Sequence, residues 1–185
     1  LSFHSGPTRS LRSICYKGVQ KMKMVIFGAA AAGLLAAATA SAVEIPNRPA
    51  LTPEIAEAVA KEALADCRAQ ETAVSVSVVN DQGRLLYFFR GEGTGANTIH
   101  TSFRKAYTAA SLKVSTSVLN MAPQADGYSQ LGKMEDDILL LTGGLPLFHE
   151  GTLIGAIGLS GAPDPNIEEA CGESAIAKVL NSKNG

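Results

Sequence analysis

The chain has 185 residues, 46% of them hydrophobic, with 16 basic and 17 acidic side chains. That suits one compact domain plus an extension. The charge balance argues against a general binder of nucleic acid or of anionic membranes.

Residues 1–21 begin with Leu and show no apolar periodicity; they read as upstream or unstructured sequence, and no function is assigned to them. Residues 22–42 read as a signal peptide. Lys23, with Lys17 and Lys21 before it, gives a positive start, Val25 to Ala38 is apolar, and Ala40-Ser41-Ala42 is a small-residue cleavage site. A bilayer span needs about 20 apolar residues, and this run is shorter, so a retained anchor is the weaker alternative. No cysteine follows the cleavage site, which argues against a lipoprotein. The expected location is periplasmic or secreted. The processed chain, 43–185, forms a single domain and loses five of the 16 basic residues, leaving 11 − 17 = −6.

Thr52-Pro53 reads as an N-cap followed by proline in the first helical position, and opens a helix to Ala69. Ile55, Val59, Ala63 and Cys67 form its apolar stripe, and Glu54 and Glu57 suit the positive end of the helix dipole. Val74 to Val78 alternates with period two, Asn80 to Gly83 is turn chemistry, and Leu85 to Arg90 is a second strand; together they make a hairpin. Gly91, Gly93 and Gly95 mark a loop. Asn97 to Leu112 is helical, with Ile99, Phe103, Ala106, Tyr107 and Ala110 on its apolar side. His100, Arg104, Thr108 and Ser111 form its polar stripe.

Thr116 or Ser115 caps a short helix through Met121, which Pro123 ends. Ala125 to Asp137 reads as irregular, and Ile138 to Leu141 as a short strand. Gly143-Gly144 is a loop, and Pro146 suits an edge strand. Leu147 to His149 and Thr152 to Ser160 flank the turn Glu150-Gly151. Gly155 and Gly158 inside the last strand mark a bulge or a close approach by another backbone or a ligand. Asp164-Pro165 opens a final helix with Ile167, Cys171, Ala175 and Val179 on its core face. Strands in hairpins beside helices make an α+β domain with a mainly antiparallel sheet.

Cys15 lies before the cleavage site, which leaves Cys67 and Cys171 as an even pair in an oxidising compartment. A disulfide between them is expected if the first and last helices run antiparallel on one sheet face. It would contribute about 2–4 kcal/mol. Two buried thiols are the alternative.

Several segments resemble the GlcG/HbpS heme-binding family, the haem-degrading domain also found at the C-terminus of PduO-type proteins. They are VSVSVVNDQGRLL (74–86), FFRGEGTG (88–95), RKAYTAA (104–110), VSTSVL (114–119), TGGLPL (142–147) and GAIGLSGA (155–162). The resemblance spans about residues 51–181. It implies a profilin- or PAS-like fold, a five-stranded antiparallel sheet with flanking helices, and homo-oligomers. It also implies heme as ligand, with heme degradation in some members. Ser115 stands where the family has proline before the threonine associated with heme, here Thr116.

A heme site needs an apolar slot, sometimes an axial ligand, and cations for the propionates. Thr116 is a heme contact by resemblance or a plain helix cap by local sequence. Lys105, on the family's K-A-x-T-A motif, stands with Arg104, Lys113 and Arg90 as cations for a carboxylate; a solvated face is the plainer reading of each. His100 is the histidine best placed to bind heme iron. His149 reads as surface decoration, and Met121 and Met134 as core. Glu135-Asp136-Asp137 reads as a solvated run, not a metal cluster. No catalytic motif is present, so enzyme activity rests on the resemblance alone.

The expected function is an exported heme-binding protein that scavenges or slowly degrades heme. A membrane sensor or a transporter would be its partner, and nucleic acid would not. The alternative is a non-enzymatic module holding a small organic ligand in a PAS-like pocket, or serving as an accessory to a sensor.

Overall fold

The computed structural model describes residues 43–121 and 128–181. The chain divides into two units after Glu44, and every helix and strand described lies in the second. The expected signal peptide, the segment before it and the stop at Pro123 lie outside the described residues. Among the described residues no helix is long and apolar enough to cross a membrane.

Helix α1, Pro53–Ala69, starts where its cap predicts: the Thr52 hydroxyl accepts the Ile55 N–H at 3.4 Å. Strands β1, Ser75–Asn80, and β2, Leu85–Phe89, form the first hairpin. The Asn80 side chain builds its turn by accepting the Gln82 and Arg84 N–H groups at 3.0 and 2.9 Å. Helix α2 is Thr98–Leu112 and α3 is Thr116–Met121. A short 3₁₀ helix, Tyr128–Lys133, occupies part of the stretch read as irregular.

Strands β3, Gly144–His149, and β4, Thr152–Ser160, form the second hairpin, and α4, Pro165–Leu180, closes the fold. The Asp164 carboxylate caps α4 by accepting the Asn166 N–H at 2.9 Å.

The sheet is antiparallel with order β2-β1-β4-β3: four strands among the described residues, not the five expected. The fifth expected strand is Ile138–Leu141. That segment is a strap tied to α2 by side chains rather than by a strand ladder. The Thr108 hydroxyl accepts the Leu139 N–H at 2.8 Å, and Arg104 donates to the Ile138 carbonyl at 3.2 Å. β3 begins at Gly144, earlier than its apolar run suggests, and Pro146 does fall on an edge strand.

Alternation divides the sheet residues between two faces. Val76, Val78, Leu145, Leu147, Ile157 and Leu159 join α1 and α4 in the main core. The Cys67–Cys171 disulfide lies there, with Cα atoms 5.5 Å apart and a sequence separation of 104. α2 covers the opposite face.

Candidate functional site

The face under α2 is made of small residues. One row across the sheet pairs Ser77 with Gly158 and Gly158 with Gly144. A Cβ at Gly158 would lie 2.2 Å from the Ser102 carbonyl oxygen, and one at Gly144 would lie 2.3 Å from the Lys105 oxygen. The helix backbone therefore rests directly on the strands, as the glycine at 158 predicts. Ala106, Ala109 and Ala110 pack with Val79 and Ala156 beside this row.

Such close contact leaves room only for short polar side chains. Ser77 and Ser102 bond at 2.8 Å, and Ser75 bonds Thr98 and Thr94 at 2.8 and 3.1 Å.

Lys105 is the strongest feature of this face. Its side chain is almost fully buried, ion-paired with the equally buried Glu168 of α4, and its Nζ donates to the Leu159 carbonyl at 3.0 Å. The second oxygen of Glu168 accepts the Gly161 and Ala162 N–H groups at 2.7 and 3.0 Å. Each buried charge thus has a counter-charge and hydrogen bonds, without which burial would be prohibitive. Glu168 reads in sequence only as a first-turn acid. Its reach across to Lys105 depends on tertiary packing, and no local pattern announces it.

The pair lies at the floor of a cleft of about 390 Å³ between the start of α2, the end of β4, α3 and the strap. Asn97 and Thr101 of the α2 side, Asn120 of α3, Thr142 and Ser160 line it. Sequence reasoning missed all five, because single hydroxyls and amides scattered over 64 positions carry no spacing signal.

Of the six residues expected to hold a ligand, only Lys105 lines this cleft. Thr116 is fully buried behind it. Its hydroxyl accepts the Gly144 N–H at 2.9 Å, so it ties α3 to the start of β3. Arg104 is half-buried along the strap, and its Nε is buried without a partner among the described residues. Lys113 is exposed and ends α2 in a left-handed conformation, φ 57°. Arg90 is exposed and closes the glycine loop by donating to the Thr94 carbonyl at 2.9 Å.

His100 is exposed; at 100° per residue it sits about 140° around α2 from Lys105, and about 40° from Arg104. Met121 and Met134, read as core, are 75% and 63% exposed. Met121 ends α3, whose buried positions are Thr116 and Leu119, and Met134 lies just past the 3₁₀ helix. Among the described residues no group of three or more His, Cys, Asp or Glu is placed to hold a metal ion.

Known proteins share both sequence and fold with this chain. A Citrobacter freundii protein, an uncharacterized 15.0 kDa protein in the dhaT-dhaS intergenic region, is 34% identical over 100 residues, 52% of this chain and 70% of its own length. Streptomyces reticuli HbpS, solved as a double mutant, is 30% identical with a TM-score of 0.68, covering 78% of this chain and 98% of that one. The PduOC:heme complex has the same fold, with a TM-score of 0.64 at 24% identity over 70% of this chain and 94% of that one. The sequence model of the family described as haem degrading protein HbpS-like matches residues 51–177. Those residues run from the start of α1 into α4 and contain the small-residue face, the ion pair and the cleft, so the chain belongs to the HbpS-like family.

Proposed function

We propose that this chain is an exported heme-binding protein that works as a homo-oligomer. The observation that carries the reading is the family match over residues 51–177, with a relative of this fold solved as a heme complex. Export rests on the sequence from Met22 to Ala42. A membrane sensor or transporter is then the partner that reads the heme or takes it up.

The cleft itself does not suit a porphyrin. Beside Leu141, Ala162 and Pro165 its lining carries hydroxyls, two carboxamides and a compensated ion pair, whereas a macrocycle needs a continuous apolar slot. Exposed apolar side chains lie on α3 and on the strap: Val118, Met121 and Leu141 are 51%, 75% and 49% exposed, and Leu141 also borders the cleft. In this reading heme lies on that ledge, with Arg104 for a propionate and His100 for the iron. Thr116 and Lys105 act from behind, holding the frame of α3 and α2. Bound heme supplies the iron and the ring on which degradation acts; the chain contributes the ledge, one imidazole and one guanidinium.

Hemin titrated into purified residues 43–185 is expected to give a stoichiometric Soret band, with the assembly sized in parallel. His100→Ala should shift the band, and Met121→Lys should weaken binding about tenfold or more, the cost of placing a charge under an apolar ring. Absence of a stoichiometric Soret band in every assembly state would overturn the proposal. An unchanged spectrum in both variants would move the heme elsewhere on the chain.

A further inference from the structure

We infer that the cleft above the Lys105–Glu168 pair is a separate binding site for a small, uncharged polyhydroxylated molecule. Two of its hydroxyls carry the inference. Thr142 and Ser160 are 6% and 5% exposed and line the cleft. Neither hydroxyl has a hydrogen-bond partner among the described residues, yet neither oxygen is sealed from the cleft. Hydroxyls on residues this buried usually pair within the protein; these two instead face one open cavity, where each is free to bond water or a ligand hydroxyl.

The neighbouring hydroxyls sharpen the contrast. Ser75, Thr94 and Thr98 satisfy one another within the same face. Ser160 pairs with Ser75 across the strands, but its hydroxyl takes no part in that cluster.

The charges select the ligand class. Among the described residues, Lys105 and Glu168 are the only charged ones lining the cleft, and they neutralise each other. An anion would find its cation already compensated and a carboxylate close by. A cation would meet the ammonium. A neutral ligand avoids both penalties. An ammonium has three donors, and two of those on Lys105 are used, by Leu159 and Glu168, which leaves one for a ligand oxygen. Thr142, Ser160 and the carboxamides of Asn97 and Asn120 at the rim each donate and accept, which matches hydroxyls that do the same. A compact polyol fits this pattern.

Glycerol and glycerate share a carbon skeleton and differ in charge, so they test the class directly. Amide NMR spectra of residues 43–185 are followed during titration with each, without heme. Glycerol is expected to give saturable shifts confined to residues near 95–101, 141–144 and 160–162, with glycerate weaker. Ser160→Ala and Thr142→Val, each checked for a native-like spectrum, should weaken glycerol binding about three- to tenfold, the loss of one hydrogen bond. Non-saturating shifts with both probes would overturn the site. Tighter binding of glycerate would overturn the neutral class. Unchanged glycerol affinity in both variants would remove the two hydroxyls from the site. None of these outcomes depends on the Soret titration, so the heme proposal stands or falls separately.

Discussion

The two faces of one sheet are held by different physics. Under α1 and α4 the strands present Val, Leu and Ile, and a covalent bridge joins the helices. Under α2 the same strands present Ser, Gly, Ala and Val79, and the face is held by a small alanine-rich cluster, hydroxyl pairs and one buried ion pair. Fully burying a Val, Leu or Ile stabilises by about 1.5–3 kcal/mol each, whereas a neutral hydrogen bond contributes about 1 kcal/mol. The first face therefore supplies stability. The second gives up apolar burial for close approach, and the polar groups so placed leave a cleft at one end.

Breaking the bridge tests the first face. Cys67→Ala with Cys171→Ala opens a loop of 104 residues, and about 4–5 kcal/mol of unfolding free energy should be lost by the chain-entropy argument. Urea unfolding of the oxidised and double-variant proteins measures it. A loss below about 1 kcal/mol would mean that α1 and α4 are already held by packing.

Breaking the ion pair tests the second face. Lys105→Met leaves the Glu168 carboxylate buried with only its two amide donors, and about 3–5 kcal/mol should be lost. Changing Glu168→Leu as well should restore much of that, because an apolar pair of similar volume needs no compensation. If the double variant is no better than the single one, the carboxylate's hold on Gly161 and Ala162 matters more than its charge.

Gly158→Ala is expected to cost about 1–3 kcal/mol through overpacking, since its Cβ would meet the α2 backbone rather than a movable side chain. The same change at Gly151, where a Cβ meets nothing within 4 Å, makes the control at φ +76°. Its cost there is conformational only.

The apolar face was legible in the sequence and much of the polar face was not. Period-two alternation at Val74–Val78, the Thr52-Pro53 and Asp164-Pro165 starts and the four-residue stripe through Cys67 each locate an element from local chemistry. The pairing of Cys67 with Cys171 followed from an even pair of cysteines behind an export signal, with two antiparallel helices on one face as the arrangement that lets them meet. Gly158 announced a close approach, though not which helix made it. Ile138–Leu141 misled because a short apolar run says nothing about whether a strand lies alongside. Here the Thr108 and Arg104 side chains take the backbone groups that a ladder would use. Lys105 stood out by resemblance, but Glu168, 63 residues away, became its partner only through the fold.

The smallest expected effect lies at the outer end of the apolar face. There Lys178 of α4 pairs with Asp66 and, at 3.3 Å, with Glu62 of α1. Burial pushes the Asp66 carboxyl up, but hydrogen bonds from Lys178 and Ser174 and the Lys178 charge outweigh it, and the net shift is downward from 3.8. A carboxyl lowered on folding adds stability that is fully present above its unfolded value. That stability is lost as pH falls from there through the folded value. Stability of the native chain should therefore decline below about pH 4 more steeply than that of Asp66→Asn, with the two curves running parallel at pH 5–7. Much of Lys178 is solvent-exposed, so the difference should shrink in high salt. Equal acid slopes would show that the two helices owe their alignment to the disulfide and the apolar stripe alone.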